Sequence, residues 1–387
     1  MSRLASNSKE LASTLIRKFI SYSLRFELRE YSAWLREQLG RACFWRWGIT
    51  RFPLRKDSQF DILYVGRAPR QESVKALLSI DDNVDAGHNK KDKSGRIVFV
   101  SEMPFPGALC VPLSLRIIVP LAKPTNEIMA GFEGELRRRI RKNIAHAHMQ
   151  QVLNDIDIDR AEKEMLRPFA TARHGDSAHQ IEPDEVRRIA QKAGRLDFVL
   201  LGDEVVACNL GCAFTRAGKG YWSTIRFGYP KEVFSNSKRL GETNAISFFL
   251  ALEWAIKNGF DYYDLGTCFG RPEDTLLQWK NRWGGEISRM GYHDHVHVRL
   301  PSVGAAQFLW DAPLFSAEGK NLTLHLGLPD GPNDDEAAIR YQRMGFGGLF
   351  KIYLHCSRQP GDLLLEKLFR LCKHREYRPA VEIVLSA

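Results

Sequence analysis

Hydrophobic and polar residues alternate in short runs along most of the chain and follow a helical period in a few longer runs. In the segment 9–39, apolar residues recur at spacings of four, three and four, which is the period of one helix face. These residues are Leu24, Leu28, Tyr31 and Leu35. Because lysine and arginine occupy the other faces, the predicted helix either lies on a membrane surface or packs on its own domain, which is the commoner outcome.

Short apolar runs follow this helix and predict strands at 60–67, 96–100 and 115–121. The polar, glycine-containing residues 81–96 predict a loop. From 124 onward the pattern becomes helical through a run of basic residues. A further helix is predicted at 183–194, opened by Pro183 and ended by Gly194.

The stretch from 196 to 266 has the most regular pattern. It predicts three strands in close succession, at 196–201, 204–214 and 219–227. Gly202-Asp203 joins the first two strands and is typical of a hairpin turn. A helix over about 241–258 ends at Asn258-Gly259, and a strand follows at 260–266. This order describes one α/β unit; the tail adds a strand, a helix and a strand at 322–328, 334–345 and 349–356.

The composition is that of a globular protein, with 44% hydrophobic and 26% charged residues, and a length of 387 predicts two or three domains. The net charge of +10 indicates an anionic partner, which is a phosphate-bearing cofactor, a nucleic acid or an acidic membrane surface. The seven cysteines include no CxxC pair and predict reduced thiols. We expect a cytoplasmic protein, since the N-terminal residues lack a signal-peptide core and the apolar stretch 245–256 is too short to span a bilayer.

Two motifs stand close together near residue 270. A predicted strand ends in Tyr263-Asp264-Leu265-Gly266, and residues 276–285 then read LLQWKNRWGG. This pair resembles the FemABX-like branch of the GNAT superfamily, in which a DLG at a strand end precedes an aromatic-Lys-x-x-aromatic-Gly motif. The segments 135–148 and 166–176 are similar to two further motifs of that family. The resemblance covers roughly 125–290.

The resemblance implies an α/β (α+β) fold, with a GNAT-like mixed, largely antiparallel sheet flanked by helices and two GNAT-like lobes. It implies an N-terminal helix with a degenerate first lobe at 1–105, a catalytic domain at 106–302 and a C-terminal α/β segment at 303–387. Residues 338–346 are similar to the "A…Y…GF" end of GNAT domains, which predicts that the tail returns to the first lobe.

The function implied is N-acyl transfer from a thioester donor to an amine, without a metal or redox cofactor. A neutral amine attacks the carbonyl directly, so positioning and stabilisation of the developing oxyanion supply most of the rate. Lys280 matches the lysine of the motif and is the candidate cation for that oxyanion, with Trp279 as its aromatic neighbour. Asp264, at the carboxyl end of a strand, is the candidate acceptor of the amine's proton. The alternative for Lys280 is that it is an ordinary surface lysine. The alternative for Asp264 is that it is a helix-capping or turn aspartate.

The donor implied is acyl-CoA, bound at a helix N-terminus where backbone N–H groups favour phosphates. Conventional GNAT enzymes carry [Q/R]-x-x-G-x-[G/A] there, and the matching cofactor-binding candidates are Lys238, Arg239, Gly241 and Thr243. The segment departs from the pattern at its first and last residues, and Glu242 adds a negative charge. The alternative is the plain basic start of a buried helix.

Other functions stay open beside this one. Peptidoglycan-bridge members of the family take an aminoacyl-tRNA donor, and the basic run 137–142 can contact RNA phosphates. A GNAT-like binding module without catalytic activity is a further alternative. For the enzyme, the acceptor implied is an amine of a small molecule or of a cell-envelope precursor.

Three histidines alternate along a predicted strand, at His293, His295 and His297, and histidines two apart on one strand face can bind zinc. Same-face Cβ positions on a strand are about 7 Å apart, so three rings reach one ion only on a sharply bent strand. Asp294 lies on the opposite face. A solvated polar face is therefore favoured over a metal site.

We accordingly expect the purified protein to carry no stoichiometric metal, and EDTA to leave its activity unchanged. Elemental analysis measures the first and a chelator titration the second. Finding one zinc per chain that is lost in His295→Ala would contradict the expectation of no metal. It would also contradict the transferase reaction, because bound zinc makes hydrolysis the natural reaction.

Overall fold

The computed structural model describes residues 22–55, 58–80, 96–175, 181–289, 294–370 and 379–385. It confirms the predicted α/β class, since mixed sheets are flanked by helices. The chain divides into two compact units. The first holds the described residues up to Ala33 with 121–125 and 134–264, and the second holds 34–120, 126–133 and the described residues from Leu265 onward. The domain bounds given by the resemblance stay a prediction.

The helices and strands are numbered here in chain order. The helices are α1 Tyr22–Ala42, α2 Ala68–Leu78, α3 Thr125–Ala130, α4 Gly134–Asn143, α5 Asp155–Arg160, α6 Arg167–His174, α7 Pro183–Arg188, α8 Lys231–Phe234, α9 Ser237–Lys257, α10 Thr275–Asn281, α11 Ala305–Asp311, α12 Asp334–Tyr341 and α13 Asp362–Arg370. The strands are β1 Gly48–Pro53, β2 Asp61–Gly66, β3 Ile97–Ser101, β4 Leu109–Pro112, β5 Ser114–Pro120, β6 Ala147–Gln151, β7 Gly194–Leu201, β8 Glu204–Arg216, β9 Lys219–Gly228, β10 Tyr262–Phe269, β11 Glu286–Ser288, β12 His295–Arg299, β13 Leu314–Glu318, β14 Asn321–Leu328, β15 Leu349–Cys356 and β16 Ala380–Leu385.

The first unit contains strands in the order β6-β7-β8-β9-β10. Neighbours are antiparallel except β9 and β10, which run parallel with Tyr262–Asp264 opposite Tyr221–Ser223. A parallel pair needs a crossover, and α9 supplies it. The boundary of the unit falls within β10, directly after Asp264.

Helix α9 begins at Ser237, four residues before its predicted start. Asn236 explains the difference, because its side chain caps the helix by accepting a hydrogen bond from the backbone N–H of Arg239 at 3.0 Å. The basic run Lys238-Arg239 therefore lies in the first turn of the helix and not in the loop before it. This places the donor-binding candidates on the helix itself.

Both faces of the first unit's sheet are covered. Alternate residues of a strand point to opposite faces. Phe198 and Cys208 accordingly belong to one apolar cluster, which includes residues of α5 and α7, whereas Val199 and Ala207 belong to another, which includes residues of α9. Cys212 shares the first cluster with Cys208, as their spacing of four predicts. The result is a sheet between two helical layers.

The second unit contains a five-stranded sheet in the order β1-β2-β3-β12-β4, a four-stranded sheet in the order β13-β14-β15-β16, and the antiparallel pair β5–β11. The predicted strands at 60–67, 96–100, 322–328 and 349–356 correspond to β2, β3, β14 and β15. Short strands such as β4 were not predicted, because four residues carry little periodicity. The predicted loop and the first half of the predicted N-terminal helix lie mostly outside the described residues, at 81–95 and 9–21.

The four-stranded sheet contains a buried chain of polar side chains. His325 Nε2 lies 2.9 Å from Ser316 Oγ, and His325 Nδ1 lies 3.1 Å from His355 Nε2. The Ser316 hydroxyl lies 2.7 Å from that of Thr323, and the Tyr353 ring stacks on His325 at 4.8 Å. Burial, and after it the neighbouring His355, lower the pKa of His325 to about 3. Burial also lowers the pKa of His355 to about 4. Both rings are therefore neutral in the folded protein at neutral pH.

This pair predicts an acid-sensitive fold. A histidine whose pKa is lower in the folded state binds fewer protons there than in the unfolded chain, so the free energy of unfolding falls as pH drops below the ordinary pKa. We expect a loss of about 2 kcal/mol for each histidine between pH 6.5 and 4.5. Urea unfolding across that range measures it.

The double variant His325→Gln/His355→Gln should flatten this pH dependence, whatever its absolute stability. His146→Gln is the matched control, because His146 is exposed. An unchanged slope in the double variant would show that the buried pair does not cause the acid sensitivity.

Candidate functional site

The lysine of the second motif lies beside Gly266 and Thr267, and all three residues belong to the second unit. The ammonium of Lys280, on α10, donates a hydrogen bond to the backbone carbonyl of Thr267 at 2.9 Å. A Cβ at Gly266 would lie 3.6 Å from Lys280 Nζ, and Gly266 has a φ of +78°, a conformation that favours glycine. The Lys280 side chain is only 6% exposed, so it is not an ordinary surface lysine. The glycine that ends the DLG motif and the motif lysine thus form one local structure.

Local capping fixes the helix that presents this lysine. The side chain of Asp274 accepts a hydrogen bond from the backbone N–H of Leu277 at 2.8 Å and begins α10. Leu277 is fully buried, one turn before Lys280, so both side chains point to the same side of the helix. The short helix is therefore held by its cap and by one apolar anchor.

Two other residues of the aromatic-Lys-x-x-aromatic-Gly motif, Trp283 and Gly284, serve the packing of the fold. Trp283 is 2% exposed and packs edge-on against Phe132 at 5.2 Å. Gly284 has a φ of +69°, and a Cβ there would lie 2.8 Å from the Gly131 carbonyl oxygen, so only glycine fits. Trp279 is partly exposed, with its ring 6.4 Å from that of Trp283. Of the two tryptophans, Trp279 is the one with surface left to contact a substrate.

Asp264 is the last residue of the first unit and is 1% exposed. It pairs with Ser223 across the parallel strands, and the Ser223 hydroxyl donates to its backbone carbonyl at 3.4 Å. The structure therefore places Asp264 in a buried strand position, in a different unit from Lys280. Its role as a proton acceptor stays a prediction.

The donor segment lies at the start of α9, where its residues have unequal exposure. Lys238 is exposed, whereas Arg239 is partly exposed and pairs with Glu204 at 2.5 Å. Thr243 is 5% exposed and faces the interior of the first unit. Lys238 and Arg239 can therefore meet a ligand at the helix start, and Thr243 supports the helix from its buried side.

Two cations of the basic run 137–142, which the sequence did not connect with this segment, contact it in the structure. A Cβ at Gly241 would approach Arg139 Nη1 to 2.7 Å, so the glycine leaves space for that guanidinium. Lys142 pairs with Glu242 at 3.0 Å and offsets its negative charge. Both cations come from the basic helix α4. The basic run was visible in the sequence, but its position beside residues about a hundred places later was not.

The surface formed by α4 and the start of α9 is predominantly cationic. Arg138 and then Arg139, through their hydrogen bonds, lower the pKa of Glu135 to about 2, so this carboxylate stays ionised. The cations of the surface outnumber its carboxylates Glu135, Glu204 and Glu242. They are Arg137, Arg138, Arg139, Arg141, Lys142, Lys238 and Arg239. Such a surface suits a polyanionic ligand.

The histidines of β12 have other partners. His295 Nε2 lies 2.9 Å from Arg41 Nη1, and a guanidinium can only donate, so this nitrogen accepts. Burial, and then Arg41, lower the pKa of His297. His293 lies outside the described residues. Within the described part of the chain, no three His, Cys, Asp or Glu side chains are grouped as metal ligands.

No family model matches the chain, and no curated protein sequence matches it. It is similar to the solved structure of FemX, with 14% identity over 68% of this chain and 90% of that one, and a TM-score of 0.37. It is also similar to the C-terminal domain of a putative lysylphosphatidylglycerol synthetase from Agrobacterium fabrum (11% identity, 68% and 84% covered, TM-score 0.33). A third similar structure is a GCN5-related N-acetyltransferase from Sphaerobacter thermophilus, with 12% identity over 65% of this chain and 74% of that one, and a TM-score of 0.26.

The overlap is loose at these TM-scores. At these identities and TM-scores the likeness carries no functional argument.

Proposed function

We propose that the chain is an N-acyltransferase that moves an acyl group from acyl-CoA to an amine. The observation that carries this proposal is the buried ammonium of Lys280 beside the glycine that ends the DLG motif. A fixed cation in a site with little water stabilises developing negative charge far better than one in solvent. Here the cation is held by a backbone carbonyl and an N-capped helix.

The reaction proceeds by direct attack. The amine nitrogen forms a bond to the thioester carbonyl carbon, and the carbonyl electron pair moves to oxygen, where the Lys280 ammonium stabilises it. The oxyanion then collapses, the carbon–sulfur bond breaks, and the CoA thiolate leaves. The attacking nitrogen loses a proton, which Asp264 takes directly or through water. Trp279 offers an aromatic face to the acyl group or the acceptor.

The donor phosphates are proposed to bind where α4 meets the start of α9. Lys238, Arg239 and Arg139 supply the charge, and the helix N-terminus supplies backbone donors. Glu242 disfavours phosphate less than the sequence suggests, because Lys142 pairs with it. The proposed acceptor is an amine of a small molecule or of a cell-envelope precursor, used in the cytoplasm.

An aminoacyl-tRNA is the alternative donor. The observation that favours it is the row of cations on α4, of which Arg138, Arg141 and Lys142 are exposed. A CoA pyrophosphate needs only a few cations, whereas an RNA backbone can contact a whole row. A binding module without turnover is the remaining alternative.

The role of Lys280 is tested by Lys280→Ala. Loss of an oxyanion-type contact should lower kcat about 10²-fold. Because Thr267 also loses its hydrogen bond, the folded state of the variant is checked by thermal unfolding. Lys257→Ala is the matched control at an exposed lysine and should keep full kcat. A folded Lys280→Ala protein with unchanged kcat would remove Lys280 from the mechanism.

The donor is tested by calorimetry with CoA and with a charged tRNA. We expect CoA to bind, and Arg139→Ser to weaken it about tenfold through loss of a charged contact. Arg138→Ser is the matched control, since Arg138 also pairs with Glu135 but is not the arginine beside Gly241. Binding of charged tRNA, with none of CoA at millimolar concentration, would replace the acyl-CoA donor by the alternative. Donor binding without turnover over a panel of amines would favour the binding module.

A further inference from the structure

An exposed apolar strip extends from the end of α1 into β1, in the second unit. Its members are Leu35 (42% exposed), Leu39 (58%), Phe44 (66%), Trp45 (70%) and Ile49 (75%). Leu35 and Leu39 lie one turn apart on one helix face. Phe44 and Trp45 follow in the 3₁₀ turn Phe44–Arg46, with their rings in edge-to-face contact at 5.7 Å. Large aromatic residues are rarely this exposed without a binding role.

The strip is part of a fixed surface, because the opposite side of α1 is anchored. Glu37, only 6% exposed, accepts hydrogen bonds from Arg41 at 3.2 Å, Arg67 at 2.8 Å and Arg70 at 2.5 Å. Burial opposes ionisation of Glu37, yet the three arginines hold its pKa below the ordinary value. Arg67 also pairs with the fully buried Glu102. These ion pairs keep one face of the helix inward and present the apolar face outward.

Within residues 31–51, the exposed charged side chains are all cationic. From Tyr31 to Arg51 the sequence contains four arginines and one acidic residue, Glu37, and that residue is the buried one. Arg36 and Arg46 are exposed within the strip, and Arg51 pairs with Asp61. The outward surface therefore combines aliphatic, aromatic and cationic side chains, with no exposed acid among residues 31–51.

We propose that this strip docks the protein on an anionic lipid surface. Trp and Phe insert into the boundary between headgroups and acyl chains, while arginines contact acidic headgroups. A second copy of the chain is a poorer occupant, because a two-fold interface would place arginines against arginines. None of the described helices has the length and apolar character of a membrane span. The strip extends to Ile49, beyond the predicted contact through residues 9–39.

The proposal is tested by vesicle co-sedimentation of the full chain. Vesicles of phosphatidylcholine with phosphatidylglycerol are compared with pure phosphatidylcholine vesicles. We expect binding to the anionic vesicles, weakened by salt. Phe44→Ser/Trp45→Ser should abolish binding, and Arg46→Ser should weaken it about fivefold, the effect of one basic residue near an anionic surface. All three positions are exposed, so thermal unfolding should be unchanged.

Matched controls distinguish binding through the strip from nonspecific binding through other exposed side chains. Leu153→Ser/Ile156→Ser removes two apolar side chains that are 62% and 83% exposed elsewhere, and Lys192→Ser removes an exposed cation. Both should bind vesicles like the parent. Absence of binding to anionic vesicles, or equal losses in strip and control variants, would overturn the proposal. So would a dimer in light scattering that Phe44→Ser/Trp45→Ser converts to a monomer, because a second copy would then cover the strip.

Discussion

The burial of one ammonium group constrains the candidate site more than any other interaction. A cation taken out of water needs oxygen partners in place of its hydration shell, since the desolvation penalty is several kcal/mol. Thr267 supplies such an oxygen to Lys280, and Gly266 leaves space beside the nitrogen because it has no side chain. The Asp274 cap and the buried Leu277 hold the helix that carries Lys280. The glycine, the cap and the lysine are therefore interdependent.

Charge burial is handled differently elsewhere in the second unit. Around Glu37, Glu102 and Asp294, three arginines balance three carboxylates, so the group has no net charge to offer a ligand and serves to position α1. In the four-stranded sheet, His325 avoids the penalty by remaining neutral and bonding to Ser316 and His355. We expect the neutral histidine pair to make the fold acid-sensitive, whereas the ion pairs around Glu37 orient α1 and its apolar strip.

On the cationic surface of α4 and α9, by contrast, the charges are neither buried nor fully balanced by carboxylates. Its charges are mostly exposed and exceed the nearby carboxylates, so they keep their attraction for an outside anion. Gly241 also gains a physical explanation. Gly241 is the fifth residue of α9, and its missing side chain makes room for the Arg139 guanidinium. The guanidinium and the helix N-terminus both increase the positive potential at this end of α9.

Local patterns of apolar and polar residues were enough to predict most of the helices and strands. Alternation and helical spacing predicted the hairpin β7–β8, the crossover helix α9 and the strand β10, because these elements are long and their signals are local. The order of the two motifs also indicated a GNAT-like fold and drew attention to Lys280. Short strands were missed, since their stability comes from neighbours distant along the chain.

The burial or exposure of these residues could be read only from the folded chain. It placed Lys280 inside and Thr243 beneath its helix, brought Arg139 to Gly241, and left Phe44 and Trp45 in solvent. No local pattern specifies these outcomes, because burial and charge pairing depend on packing between segments far apart in sequence. The spacing of a lysine shows which helix face it occupies, and only the packed fold shows what that face meets.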